Sequence, residues 1–238
     1  MSARTLILLS CSRDKLCGGS RFDNTTRRLS SRTSLTNYSE LLSRKREQIF
    51  DLLKGKTDRL YNEDQGGGYR DERGVNQALT HDPYELAYMP AYERYDGRFF
   101  TAMRKVSPQF WSKLPKEVEI LFVSGLYGLL FWDEPIQNYD CHLNDYIEGR
   151  ARRQTLGDLW RKLSLTAVLC DFMNADRKRG RPFTHVFDML SEETYQNVFD
   201  WELVCSKGGV KVQHRIFRPL TGTDTLPYMA EILATQLS

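Results

Sequence analysis

The chain has 238 residues, of which 40% are hydrophobic and 27% charged, and its net charge is +3. That length suits one large globular domain over residues 1–238, or one domain with a small annex, and the balance is unlike that of a disordered chain. No apolar run reaches the roughly 20 residues that a membrane helix needs, so no membrane partner is expected.

Leu6 to Leu9 is a short continuous apolar run before a polar loop, the pattern of a buried strand. Arg13 follows closely and no small-residue cleavage site is present, so the run reads as a strand rather than a signal peptide. Residues 10–36 are rich in Ser, Thr, Arg and Gly and predict a long functional or mobile loop. Between 37 and 54, Tyr38, Leu41, Leu42, Ile49, Leu52 and Leu53 recur at helical spacing, with Asn37 and Gly55 as caps. The glycine-rich stretch 63–74 follows no strand and precedes no GK(S/T), so it predicts a mobile loop rather than a phosphate grip. Residues 83–95 concentrate tyrosines, 96–106 predict a helix and 118–123 a strand.

Thr155 to Asn174 predicts one long amphipathic helix, and Thr184 to Leu190 a strand. Ser191 reads as the cap of a helix through Phe199. Glu202–Cys205 and Val210–Arg218, around Ser-Lys-Gly-Gly, predict a β-hairpin. Asp224 or Thr225 caps a last helix, with Pro227 in its first turn. Strands separated by helices, plus one late β-hairpin, imply an α/β fold with a mixed β-sheet flanked by helices.

The chemistry concentrates at strand ends, where open α/β sheets bind ligands. The loop after the first strand offers Ser10, Cys11, Ser12 and Lys15: hydroxyls, a thiol and a cation, a set that suits an anion, a phosphate or the edge of a base. The cysteines, Cys11, Cys17, Cys141, Cys170 and Cys205, are odd in number and form no CxxC, which fits a reduced, cytoplasmic protein. The histidines, His81, His142, His185 and His214, lie far apart, and no metal or cofactor is expected. Basic clusters lie at Arg27 to Arg46, at Arg150, Arg152, Arg153, Arg161 and Lys162, and at Arg177 to Arg181. Each alone suits a solvated helix face; three together suit a polyanion.

The segment SGLYGLLFWDEPIQNYD begins at Ser124. Ser124, Gly125, Leu126, Tyr127 and Gly128 form a tight turn whose backbone N–H groups could meet phosphates. Asp133, Glu134 and Asp140 follow, beside Trp132, Asn138 and Tyr139. Carboxylates among aromatics and carboxamides are what a site needs to hold a base and polarise a water.

This segment resembles the SGLYG…D…Q-P-Y signature of the YaaA family. Residues 95–103, YDGRFFTAM, resemble its F-x-G-x-x-Y-x-G-L segment, with Phe100 and Ala102 as departures. Residues 190–195, LSEETY, resemble its L-A-S-x-E-Y segment, and the first strand with Ser10 and Lys15 resembles its S-P-A-K start. Asn138 replaces the family's proline, Asp140 stands where a basic residue is usual, and its late K-x-A-R-G segment is not visible. The resemblance implies an α/β fold with a helix-hairpin-helix-like insertion, binding to double-stranded DNA, and a role linked to oxidative DNA damage. Three readings follow. The first is a DNA glycosylase-type enzyme with Asp133, Glu134 or Asp140 catalytic and Ser10, Cys11, Ser12, Lys15, Asn138, Tyr139, Ser191 and Tyr195 around the base. In it, residues 124–128 with Arg150, Arg152 and Arg153 hold the duplex. The second is a non-catalytic DNA-protecting protein, and the third an enzyme on a free nucleotide.

Overall fold

The computed structural model describes residues 4–16, 18–20, 29, 41–42, 44–46, 48–49, 88–136, 139, 141–147, 154–214 and 222–237. Its main sheet has five strands: β1 (Arg4–Ser10), β2 (Val118–Ser124), β3 (Gly128–Phe131), β4 (Phe183–Met189) and β5 (Lys211–His214). Their spatial order is β3-β2-β1-β4-β5. β1 pairs in parallel with both β2 and β4, β4 pairs in parallel with β5, and only β3 runs antiparallel, against β2. The fold is therefore α/β with a mixed sheet, as the alternation of elements predicts.

β1 is the central strand, and Leu6, Ile7, Leu8 and Leu9 are all buried. A strand covered on both faces needs a continuous apolar run, and that is why LILL reads so clearly in sequence. Besides a single turn at Ala91–Arg94, the described helices that bear on the site and the sheet are α1 (Arg98–Val106), α2 (Leu156–Lys162), α3 (Leu165–Lys178), α4 (Glu193–Gln196), α5 (Trp201–Gly208) and α6 (Gly222–Leu237). α1 packs on α6, whose Ile232 and Leu233 lie by Ile7 and Phe187, and α3 packs on α5. Phe172 of α3 meets Phe131 of β3 and Phe183 of β4. No helix among the described residues is long and apolar enough to cross a membrane.

Four local expectations need correction. The late β-hairpin is not formed: Trp201–Gly208 is helical and β5 joins β4 in parallel. Asp200 caps that helix by accepting from Leu203 N–H at 2.9 Å, and Gly209 ends it in the left-handed region at φ 61°. A four-residue apolar run cannot by itself separate strand from helix, and the cap and glycine decide here. The long helix predicted from Thr155 is two helices, broken where Ser164 takes φ 57°. Thr155 does start it, in a reciprocal capping box with Asp158. The third correction concerns where two helices start: Ser191 does not cap α4, whose N-cap is Glu192, and α6 begins at Gly222 rather than at Asp224 or Thr225.

The fourth correction concerns the helix-hairpin-helix-like insertion. Residues 125–127 turn between β2 and β3 of the main sheet, with no helix on either side. Ser124, Gly125, Leu126, Tyr127 and Gly128 are all buried. The two glycines are there for packing. A Cβ at Gly125 would lie 2.9 Å from Cys141 O, and one at Gly128 2.7 Å from the Trp160 ring. Gly128 also takes φ 68°, where a side chain is strained. Trp160 Nε1–H donates to Gly125 O at 2.7 Å and locks the turn from that side.

Candidate functional site

The chain runs from β1 outward to β2 and then crosses back over β1 to β4. That reversal opens a crevice at the carboxyl ends of β1 and β4, where open α/β sheets place ligands. The crevice is a cleft of about 280 Å³ lined by Ser10, Cys11 and Ser12 after β1 and by Met189, Ser191 and Glu192 after β4. Gly97 and Arg98 at the start of α1 and His142 close it. Ser10, Cys11, Ser12 and Ser191, predicted as pocket residues from sequence, therefore share one cleft.

The other predicted pocket residues lie behind it. Tyr195 is fully buried and its hydroxyl is 3.1 Å from Cys11 Sγ. Tyr139 is 1% exposed, and its hydroxyl is shared between Ser124 Oγ at 2.7 Å and Tyr95 Oη at 2.9 Å. Burial pushes the phenols of Tyr95, Tyr139 and Tyr195 well above the usual tyrosine range, and the nearby Cys11 adds to the shift. Lys15 is buried too: its backbone pairs with Tyr95, and its ammonium lies 4.0 Å over the Tyr139 ring. These residues form the rear wall of the cleft; they do not line it. The described start of the loop that the sequence reads as functional or mobile is tied to the fold by the Lys15–Tyr95 and Ser20–Tyr88 pairings.

Glu134, expected among the catalytic carboxylates, does not line the cleft. It is 1% exposed and its Oε1 is 2.9 Å from the guanidinium of Arg46. Its Oε2 accepts from Leu29 N–H at 2.9 Å and Phe131 N–H at 3.1 Å. Arg46 in turn donates to Tyr127 O and Leu129 O, at 2.8 and 2.6 Å. The pair clamps the β2–β3 turn from within, so Arg46 also leaves the basic cluster to which the sequence assigns it. Asp133 lies on the turn after β3, away from the cleft. Asp140, Asn138, Arg150, Arg152 and Arg153 lie outside the described residues.

Two carboxylates line the cleft, Asp14 and Glu192, neither of which the sequence reading named, and Glu192 is the one held by neighbouring side chains. His142 Nε2 is 3.8 Å from its Oε1, and Asn144 Nδ2–H donates to its Oε2 at 3.2 Å. Asn144 is itself fixed by Thr194, whose hydroxyl donates to Asn144 Oδ1 at 2.5 Å. Burial lowers the His142 pKa, which Arg13 and Lys15 reinforce and Glu192 and Asp145 oppose. His142 Nδ1 accepts from Asn144 N–H at 3.3 Å, so the neutral ring carries its proton on Nε2, facing Glu192. Glu192 is half-exposed; Asn144 holds one of its oxygens by a hydrogen bond, and His142 stands 3.8 Å from the other. A signal was present in LSEETY, since an acidic residue just past a buried strand points to the sheet's carboxyl edge. His142 and Asn144 carry no such signal, because the fold brings them from nearly 50 positions away. Among the described residues, no group of three or more His, Cys, Asp or Glu side chains is placed to hold a metal ion.

The family described as peroxide stress protein YaaA matches residues 5–218. The chain belongs to the YaaA family. The match runs from β1 to just past β5 and takes in every residue of the cleft before α6. A role in the peroxide stress response follows from the family's description. No curated protein matches the chain.

Proposed function

We propose that this YaaA-family protein serves the peroxide stress response by hydrolysing the N-glycosidic bond of a damaged or modified nucleotide in double-stranded DNA. The observation that carries this reading is the oriented carboxylate of Glu192 at the mouth of a strand-end cleft. In such a reaction water adds to C1′, the C1′–N bond breaks, and the freed base takes up a proton. Glu192 accepts the proton of the attacking water and stabilises positive charge growing on the sugar. Asn144 fixes one of its oxygens by a hydrogen bond, and the His142 imidazole beside the other, whose pKa burial lowers, adds no counter-charge of its own. Arg13 and Arg98 at the rim supply cations for the DNA backbone. Glu192 thus takes the role that the sequence assigns to Asp133, Glu134 or Asp140.

The test is incubation with duplexes carrying oxidised or otherwise modified bases, with released bases read by mass spectrometry. Glu192→Gln is expected to lower release by 100-fold or more while leaving duplex affinity and Tm unchanged. An absence of base release from every duplex, with binding intact, leaves a DNA-binding protein without this chemistry and refutes the hydrolytic reading.

A further inference from the structure

α1 starts at Arg98 with Gly97 as its N-cap, and no side chain caps it. The first intrahelical bond runs from Thr101 N–H to Gly97 O, so the N–H groups of Arg98, Phe99 and Phe100 find no acceptor within the helix. All of these residues line the cleft. A helix N-terminus alone is common, but two further groups converge on this one. Ser10 Oγ is buried and has no hydrogen-bond partner among the described residues. Ser12 is only 9% exposed, lines the same cleft, and makes no side-chain hydrogen bond among the described residues. Its Oγ lies against Gly97 so closely that a Cβ there would be 2.3 Å away.

Buried hydroxyls are normally paired, because leaving one unpaired costs its desolvation. Two unpaired hydroxyls beside an uncapped helix start form a set of donors without an acceptor. We infer that Ser10, Ser12 and the N-terminus of α1 form a phosphate subsite of the cleft, taking the phosphate group that adjoins the bound nucleoside. Charge balance at the rim supports directed donors rather than bulk attraction: Arg13 and Arg98 face Asp14 and Glu192 across the same cleft. A phosphate presents enough oxygens to engage two hydroxyls and two or more N–H groups at once, and the helix dipole favours its charge. Lys15 takes no part, since its ammonium is turned onto the ring of Tyr139. The inference rests on the nucleotide reading of the cleft but not on the hydrolytic step.

The experiment is calorimetric titration of the full chain with inorganic phosphate, with acetate at matched ionic strength, and with a deoxynucleoside, its 5′-monophosphate and a dinucleotide. Phosphate and either phosphate-bearing nucleotide are expected to bind at least tenfold tighter than acetate or the bare nucleoside. Preference for the monophosphate assigns the subsite to a terminal phosphate, and preference for the dinucleotide to the internal diester of a strand; both support it. Ser12→Ala is expected to weaken phosphate binding about tenfold or more. Gly97→Ala should do the same by displacing the Ser12 hydroxyl. Its φ of −68° suits any residue, so Tm should hold. The double variant should bind no more weakly than Gly97→Ala alone. Equal affinity for nucleoside and monophosphate, or unchanged phosphate affinity in Ser12→Ala, overturns the subsite. Ser12-dependent phosphate binding without any base release would leave the subsite standing and refute only the hydrolytic step.

Discussion

Replacing Glu134 by Gln separates a structural carboxylate from a catalytic one. Arg46 and Glu134 face each other at 2.9 Å and each side chain is 1% exposed. At an effective dielectric of about 20, two unit charges at that separation attract by about 6 kcal/mol. Glutamine removes the charge but keeps one acceptor, so the full sum is not lost. It also puts an NH₂ group either against the Arg46 guanidinium or against the N–H groups of Leu29 and Phe131, which now share Oε2. Both orientations set donor against donor and leave a buried cation uncompensated. Stranding one member of a buried pair costs about 3–5 kcal/mol, a large part of the roughly 5–15 kcal/mol that holds a domain folded. Urea denaturation followed by far-UV circular dichroism should show that loss in Glu134→Gln. An Arg46→Met, Glu134→Leu double variant should recover much of it, because no charge is then buried. A stability change below about 0.5 kcal/mol, with cleft activity abolished, would refute the clamp and restore Glu134 as a reacting group.

The remaining expectations concern the turn, the phenols and one cap. Gly128→Ala should cost about 2–4 kcal/mol, combining a left-handed backbone with a clash against Trp160. Gly180→Ala, at φ 72° but in open space, should cost only about 1–2 kcal/mol in the same denaturation assay; equal costs would refute the Trp160 contact. The phenols of Tyr95, Tyr139 and Tyr195 titrate well above the ordinary 10.0, so the folded state keeps protons that the unfolded chain releases. Stability is therefore undiminished below pH 10.0 and falls as pH rises beyond it. Absorbance at 295 nm should show these phenols ionising only with unfolding; reversible ionisation near pH 10.0 with intact near-UV dichroism would contradict their burial. Thr155→Ala should cost about 1 kcal/mol by removing both hydrogen bonds of the Thr155 hydroxyl, from Asp158 N–H and to the Asp158 carboxylate, while the backbone arm of the capping box stays. The Thr155 backbone N–H, first among several causes, holds the Asp158 carboxyl below its ordinary 3.8, so this contribution is present above 3.8 and is lost as pH falls through the depressed value. Asp158→Asn should lose this acid-side dependence, and a pH profile identical in Asp158→Asn and the parent would count against it.

Much of this protein follows from its sequence alone. LILL and ILFV are continuous apolar runs because their strands are covered on both faces, and that covering leaves a one-dimensional mark. The polar residues just past the first strand had to lie at the sheet's carboxyl edge, so Ser10, Cys11 and Ser12 were legible as site residues. Ser191 was legible for the same reason at β4. Local chemistry was ambiguous where a short apolar run had no period to read. Residues 202–205 fit a strand or a helix equally, and Asp200 with Gly209 settled it. The roles of individual charges were decided only in three dimensions. Glu134 looks like the carboxylates around it until Arg46, 88 positions away, closes on it. Glu192 becomes an oriented carboxylate only because His142 and Asn144 arrive from a separate loop. Gly125 and Gly128 were visible as a tight turn in the sequence, but whether such a turn faces DNA or the core depends on what packs against it. Here Cys141 and Trp160 do, and hydrophobic burial turns the motif inward.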